Sequence, residues 1–195
     1  MRLFVALDID EEIRNRIQEF TEQIRGLAPY TRWLAPGSLH ITLKFIGEQP
    51  EAFVQQIESA LKSVTVAPFR VEFCGAGFFP TSKAARVFWI GIEAEPGLVE
   101  LASKTEDSLA TLAIPKEQRA FSPHLTLARA SNASGAPGWC KGDKPNPQFA
   151  GAQEHLAKSP ARSFGTMTAR EFFLYRSKLS NKGSTYTKIA RFQLS

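Results

Sequence analysis

The sequence predicts an α+β chain built mainly on antiparallel sheets. Three observations carry this expectation. Segments with strand and helix periodicity follow one another as strand, helix, strand, helix, strands, then helix, strand, strands. Two of the strand-like segments repeat one short pattern, His-x-Thr-Leu, as "HITL" and "HLTL". The chain also closes on two strand-like runs around a turn, "KLSNKG".

The elements follow in order. Arg2–Asp8 reads as a first strand. Asp10 is placed as an N-cap, with Ile13, Ile17, Phe20 and Ile24 at helical spacing up to Gly26. Leu39–Ile46 is the first histidine strand. Pro50 opens a helix with Phe53, Ile57 and Leu61 on its apolar face. Phe69–Phe73 and Arg86–Ile92 read as strands separated by a loop, "GAGFFPTSKAA". A helix over Gly97–Ala113 presents Leu98, Leu101, Thr105 and Leu109, and the second histidine strand ends near Arg129. An irregular, loop-rich stretch then covers about 131–163, with a short helix over Gln148–Ala157. The closing strands are "REFFLYRS" and "STYTKIARFQL".

The 195 residues suffice for one core, or for two small lobes that share one. Fifteen Phe against three Tyr indicate a core of apolar rings. The net charge of +5 suits a polyanionic partner without requiring one. Cys74 and Cys140 stand in no metal or redox spacing and read as reduced bystander thiols. The apolar run in "MRLFVALDIDEE" is too short for a secretory leader, and no stretch is long enough to span a bilayer. The expected location is the cytoplasm, with no membrane partner.

Alternation sets His40, Thr42 and Lys44 on one face of their strand and Ile41, Leu43 and Phe45 on the other. His124 and Thr126 repeat the arrangement. One histidine on a strand is ordinarily a packed or surface residue, and His155 keeps that reading. Two copies of one pattern, using two of the three histidines, point to chemistry. A neutral imidazole can take a proton from an attacking water while an imidazolium across a phosphate protonates the departing oxygen. Each threonine can donate a hydroxyl hydrogen bond to a non-bridging phosphate oxygen. Antiparallel sheets set back to back would place the imidazoles on opposite sides of phosphorus, and no metal or cofactor is needed. Rival chemistries lack their residues. There is no HExxH, no GxSxG and no P-loop, and "CKGDK" breaks a nucleotidyl-transfer lysine motif at Lys144.

The paired "HITL" and "HLTL" resemble the 2H phosphoesterases. The wider context, "MRLFVALDI", "RW" before "LHITLKFIGE", "RVFWIGIE", "RAFSPHLTLAR" and "LYRSKLSNKGSTYTKIARFQL", is similar to their RNA 2′,3′-cyclic phosphodiesterase branch, also called 2′-5′ RNA ligase-like proteins. The resemblance implies one bilobal domain over 1–195, with pseudo-two-fold symmetry about a central cleft. It implies opening of 2′,3′-cyclic phosphate ends of RNA or nucleotides to 2′-phosphates, and a monomer is the expected state. His40 and His124 become the acid–base pair and Thr42 and Thr126 the phosphate donors. Lys44 and Arg129 are candidate phosphate contacts. Arg129 falls on the side of Leu125 and Leu127, so it reaches the phosphate only if the strand ends or bulges first. Phe45, Phe78 and Phe79 are weighed as base-stacking platforms and assigned to core packing. Two alternatives stay open: ATP-independent 2′-5′ ligation by the same residues, and an RNA-end binding module without turnover.

Overall fold

Five consecutive residues, Leu3–Leu7, are buried in the first strand, β1 (Arg2–Leu7). A run that is apolar on both faces belongs in the interior of a sheet. The computed structural model places it there and describes residues 1–131, 145–180 and 183–195. Cys140, Lys144 and positions 132–144 of the irregular stretch lie outside the described residues.

Eight further strands follow: β2 (Thr31–Trp33), β3 (Ile41–Glu48), β4 (Phe69–Phe79), β5 (Val87–Ala94), β6 (His124–Ala130), β7 (Ser163–Ala169), β8 (Glu171–Ser180) and β9 (Gly183–Gln193). Eight of the nine strands run in the order β7-β4-β5-β6-β3-β1-β8-β9, with β2 paired to β6 off that path. All the pairings are antiparallel. The two histidine strands therefore belong to one continuous sheet, not to two sheets set back to back. They meet at its middle through a single residue pair, Ile41↔Leu125. On either side lies a four-stranded half, β3-β1-β8-β9 and β6-β5-β4-β7.

Four helices supply the main core: α1 (Glu11–Ile24), α2 (Val54–Lys62), α3 (Gly97–Ala110) and α4 (Ala150–Ala157). In α1 the buried residues are Ile13, Ile17, Phe20 and Ile24, a stripe at the expected spacing. Burying such a side chain is worth about 1.5–3 kcal/mol each. Asp10 holds the N-cap position without a side-chain hydrogen bond, while Glu11 and Glu12 lie in the first turn, where the helix dipole favours them. Leu3, Val5 and Leu7 face this core. Phe4 and Ala6 face the other way, into a small cluster with Phe173 and Tyr175. That second face belongs to the site.

Three stretches depart from the expected elements. β2 has three residues, too few to show a period. β7 starts at the last residue of the stretch read as irregular and covers residues given no element, and Gly165 (φ +112°) interrupts its alternation. β4 runs through "GAGFF" instead of stopping at Phe73. Gly77 there opposes Trp89, and a side chain on Gly77 would overlap the indole ring. A glycine that reads as a loop signal is in fact the bed for a tryptophan.

Candidate functional site

His40 precedes β3 and His124 opens β6, each two residues after a serine. The Nδ1 atom of His40 lies 2.8 Å from the Ser38 carbonyl oxygen, and that of His124 lies 2.8 Å from the Ser122 carbonyl oxygen. A carbonyl can only accept, so Nδ1 carries the proton in both rings. That leaves Nε2 free for a ligand in both. The Ile41↔Leu125 pair sits between His and Thr in each motif, so antiparallel pairing relates the two copies by an approximate two-fold at that pair. Thr42 and Thr126 are half-buried, as are both histidines. Thr42 opposes Ala6, and Thr126 opposes Trp89.

Beyond the threonines each strand bulges. Ala6 pairs with Thr42 and Val5 with Lys44, so Leu43 is the extra residue. Trp89 pairs with Thr126 and Phe88 with Ala128, so Leu127 is the extra residue in the second copy. A one-residue insertion reverses the facing of everything after it. Arg129 therefore turns to the histidine side, and its charge is felt by both imidazoles.

In the first copy the same reversal overturns two expectations. Lys44 does not share the face of His40. It is 6% exposed on the opposite side, where Nζ pairs with Glu106 of α3 at 2.7 Å and donates to the Pro115 carbonyl at 2.6 Å. Phe45 takes the position equivalent to Arg129. It is 53% exposed instead of packed in the core, with its ring 6.1 Å from Phe4.

Comparison with known proteins gives the chain its family. Residues 7–89 match the family described as LigT like Phosphoesterase. The RNA 2′,3′-cyclic phosphodiesterase of Archaeoglobus fulgidus is 34% identical over 99% of this chain and 100% of its own length. The chain belongs to the LigT-like 2H phosphoesterases. Among solved structures, a Thermus thermophilus protein is 30% identical with a TM-score of 0.77, covering 100% of this chain and 98% of its own. E. coli LigT complexed with 3′-AMP is 26% identical with a TM-score of 0.75, at the same coverages.

In this LigT-like phosphoesterase, aromatic rings wall the two imidazoles. Phe4 lies 4.8 Å from His40 by ring centroids, Tyr186 meets it edge-on at 5.1 Å, and Tyr175 stacks at 6.1 Å. Phe79 meets His124 edge-on at 5.0 Å and packs on Trp89, so it belongs to the site, whereas Phe78 stacks on Phe88 in the core as expected. Burial lowers the His40 pKa to about 4. The Ser38 carbonyl and the Asp8 charge oppose that shift, while Arg129 and His124 add to it. Burial lowers His124 as well, with Arg129 adding to the shift. Asp8 is held at 2.8 Å by Arg14 and is also paired with Lys188.

Sequence reasoning missed Phe4, Tyr175 and Tyr186, on the strands beside the histidine motif, and Asp8, the residue that follows β1. Alternation in β1 sets Phe4 and Ala6 on one face, and only pairing with β3 makes that face part of the site. His155 lies in the last turn of α4, where its carbonyl accepts from Ser159 Oγ at 2.9 Å. Among the described residues no three metal-ligating side chains converge.

Replacing Thr42 or Thr126 by Ala should reduce turnover by roughly 3- to 10-fold, the loss of one neutral donor worth about 0.5–1.5 kcal/mol. Steady-state kinetics on the folded variants checks this. Wild-type rates in both would make the threonines structural.

Proposed function

We propose that this chain hydrolyses 2′,3′-cyclic phosphate ends of RNA to 2′-phosphates with its two histidines as acid and base. The observation that carries the reading is the matched pair of imidazoles, each bound through Nδ1 to a backbone carbonyl and each free at Nε2. One neutral Nε2 takes a proton as water oxygen bonds to phosphorus. The bond from phosphorus to O3′ breaks in line, and the other imidazolium delivers its proton to O3′. Thr42, Thr126 and Arg129 hold the non-bridging oxygens, where charge concentrates during the displacement. Phe45 offers its exposed ring to the terminal base. The name of the A. fulgidus relative and the 3′-AMP complex of E. coli LigT support a nucleotide end as substrate.

The reading extends to a cytoplasmic monomer. Both imidazoles, both threonines and Arg129 come from one chain, Cys74 is a free thiol, and among the described residues no helix is long and apolar enough to cross a membrane.

Incubation with a 2′,3′-cyclic mononucleotide and a cyclic-ended oligonucleotide, in buffer and in excess EDTA, tests the proposal. Equal turnover in both buffers and a 2′-phosphate product are expected. Activity lost in EDTA and restored by zinc or manganese would reject proton transfer by imidazoles alone. A 3′-phosphate product would reject the assignment of O3′ as the leaving oxygen.

A further inference from the structure

The turn before β2 carries side chains that this reaction leaves unused. The Ala28 carbonyl accepts from the Thr31 backbone N–H at 3.3 Å, from Thr31 Oγ1 at 2.7 Å and from Trp33 Nε1 at 3.3 Å. Three donors on one oxygen fix the turn. They leave Tyr30 at its tip, 77% exposed, the most exposed large apolar side chain among the described residues. Two residues on, Arg32 is exposed and pairs in register with Arg129. Cross-strand partners project from the same side of a sheet, so Arg32 stands beside the guanidinium that reaches the imidazoles.

Arg2, exposed at the start of β1, is the third cation of the group. Burial lowers the Arg129 pKa, Tyr186 opposes that, and the charges of Arg32 and Arg2 lower it further. Three cations close enough to act on one another make a local positive field that attracts an anion. The cyclic phosphate supplies one anion, at Arg129. A cyclic end has used its own 2′ and 3′ oxygens, so its chain continues only through O5′, and the next anion must come from that side.

We propose that Arg32, Arg2 and Tyr30 form a second subsite, which takes the internucleotide phosphate and the base on the 5′ side of the cyclic end. The preferred substrate is then an oligonucleotide, not a cyclic mononucleotide. A basic cluster with an exposed ring two residues along the chain suits a single strand, whose phosphates meet the cations while a base stacks on the ring. The inference rests on the cyclic-phosphate reading of the cleft.

The test compares wild type, Arg32→Gln, Tyr30→Ala and the double variant on a cyclic-ended pentaribonucleotide and on a 2′,3′-cyclic mononucleotide. Both single changes lie at exposed positions, and melting curves establish that they fold. For the pentamer we expect kcat/KM to fall roughly 5- to 100-fold through KM in each single variant, as for a lost stacking or phosphate contact, with the mononucleotide within about twofold. The log–log salt dependence for the pentamer should flatten by about 0.7 in Arg32→Gln, one phosphate contact on a single strand. Equal losses on both substrates, or none on the pentamer, would overturn the subsite. If wild type turns over neither substrate, the cyclic-phosphate reading fails instead. Affinity for a 3′-phosphorylated pentamer then decides the track by itself: weaker binding in the variants keeps it, and unchanged binding rejects it.

Discussion

Replacing either His40 or His124 with Ala is expected to lower turnover by roughly 10²–10⁴-fold, the usual scale for a positioned acid or base, while the protein stays folded. The double variant should lose little more than the worse single one, because one missing partner already stalls the proton relay. Both imidazoles are depressed in the free protein, His40 to about 4. The competent form has one imidazole neutral and one charged, so kcat/KM should trace a bell whose maximum lies on the acid side of 6.5. A bound phosphate anion favours imidazolium, so the maximum for kcat should lie at higher pH. Stability has its own pH dependence. The unfolded chain binds more protons than the folded one between about 4 and 6.5, so stability rises with pH across that window and is lost as pH falls through it. In His40→Asn that slope should flatten. A single histidine variant that folds and keeps near-full activity would reject the mechanism. Unfolding of both would make the histidines structural.

The second large effect belongs to Lys44. Replacing it with Met keeps the aliphatic stem but leaves Glu106 charged and largely enclosed, at 18% side-chain exposure. Removing one partner of a buried pair costs about 3 kcal/mol, chiefly from the stranded charge. Glu106→Gln, which keeps hydrogen-bonding capacity, should cost less. Denaturant unfolding measures both. Glu106 also accepts from the Glu117 backbone N–H at 3.2 Å, and Lys44 donates to the Pro115 carbonyl. The pair thus ties β3 to the segment that leads into β6, and turnover should fall with stability. A Lys44→Met protein of unchanged stability but sharply reduced turnover would instead make Lys44 a substrate contact.

The sequence-to-structure correspondence divides along one physical line. Wherever an unbroken period held, as in α1, α3 and the first residues of each histidine strand, facing was legible from alternation alone. His40, Thr42, His124 and Thr126 fall in that set. The site was misread where one inserted residue changed parity. Leu43 and Leu127 look like ordinary strand residues, and nothing in their identity marks them as bulges. Lys44 was therefore placed with His40, Phe45 with the core, and Arg129 with the leucines unless a bulge intervened. The rings around His40 were hidden for another reason, since β1, β8 and β9 reach it only through long-range pairing. Gly75 and Gly77 misled because a positive-φ bulge residue, as Gly75 is, and a bed for a neighbouring ring, as Gly77 is, carry the same glycine signature as a turn.

The equivalence of Phe45 and Arg129 has a consequence for the handedness of the reaction. The two-fold that relates His40 to His124 would by itself let an RNA end enter either way round, and either imidazole could then meet the leaving oxygen. The positions five residues beyond each histidine break that degeneracy, with an uncharged ring on one side and a cation on the other. A substrate with a flat base at one end and a charged backbone at the other has one matching orientation. On the proposed mechanism, that orientation sets which imidazole meets the leaving oxygen, together with the unlike ring surroundings of His40 and His124.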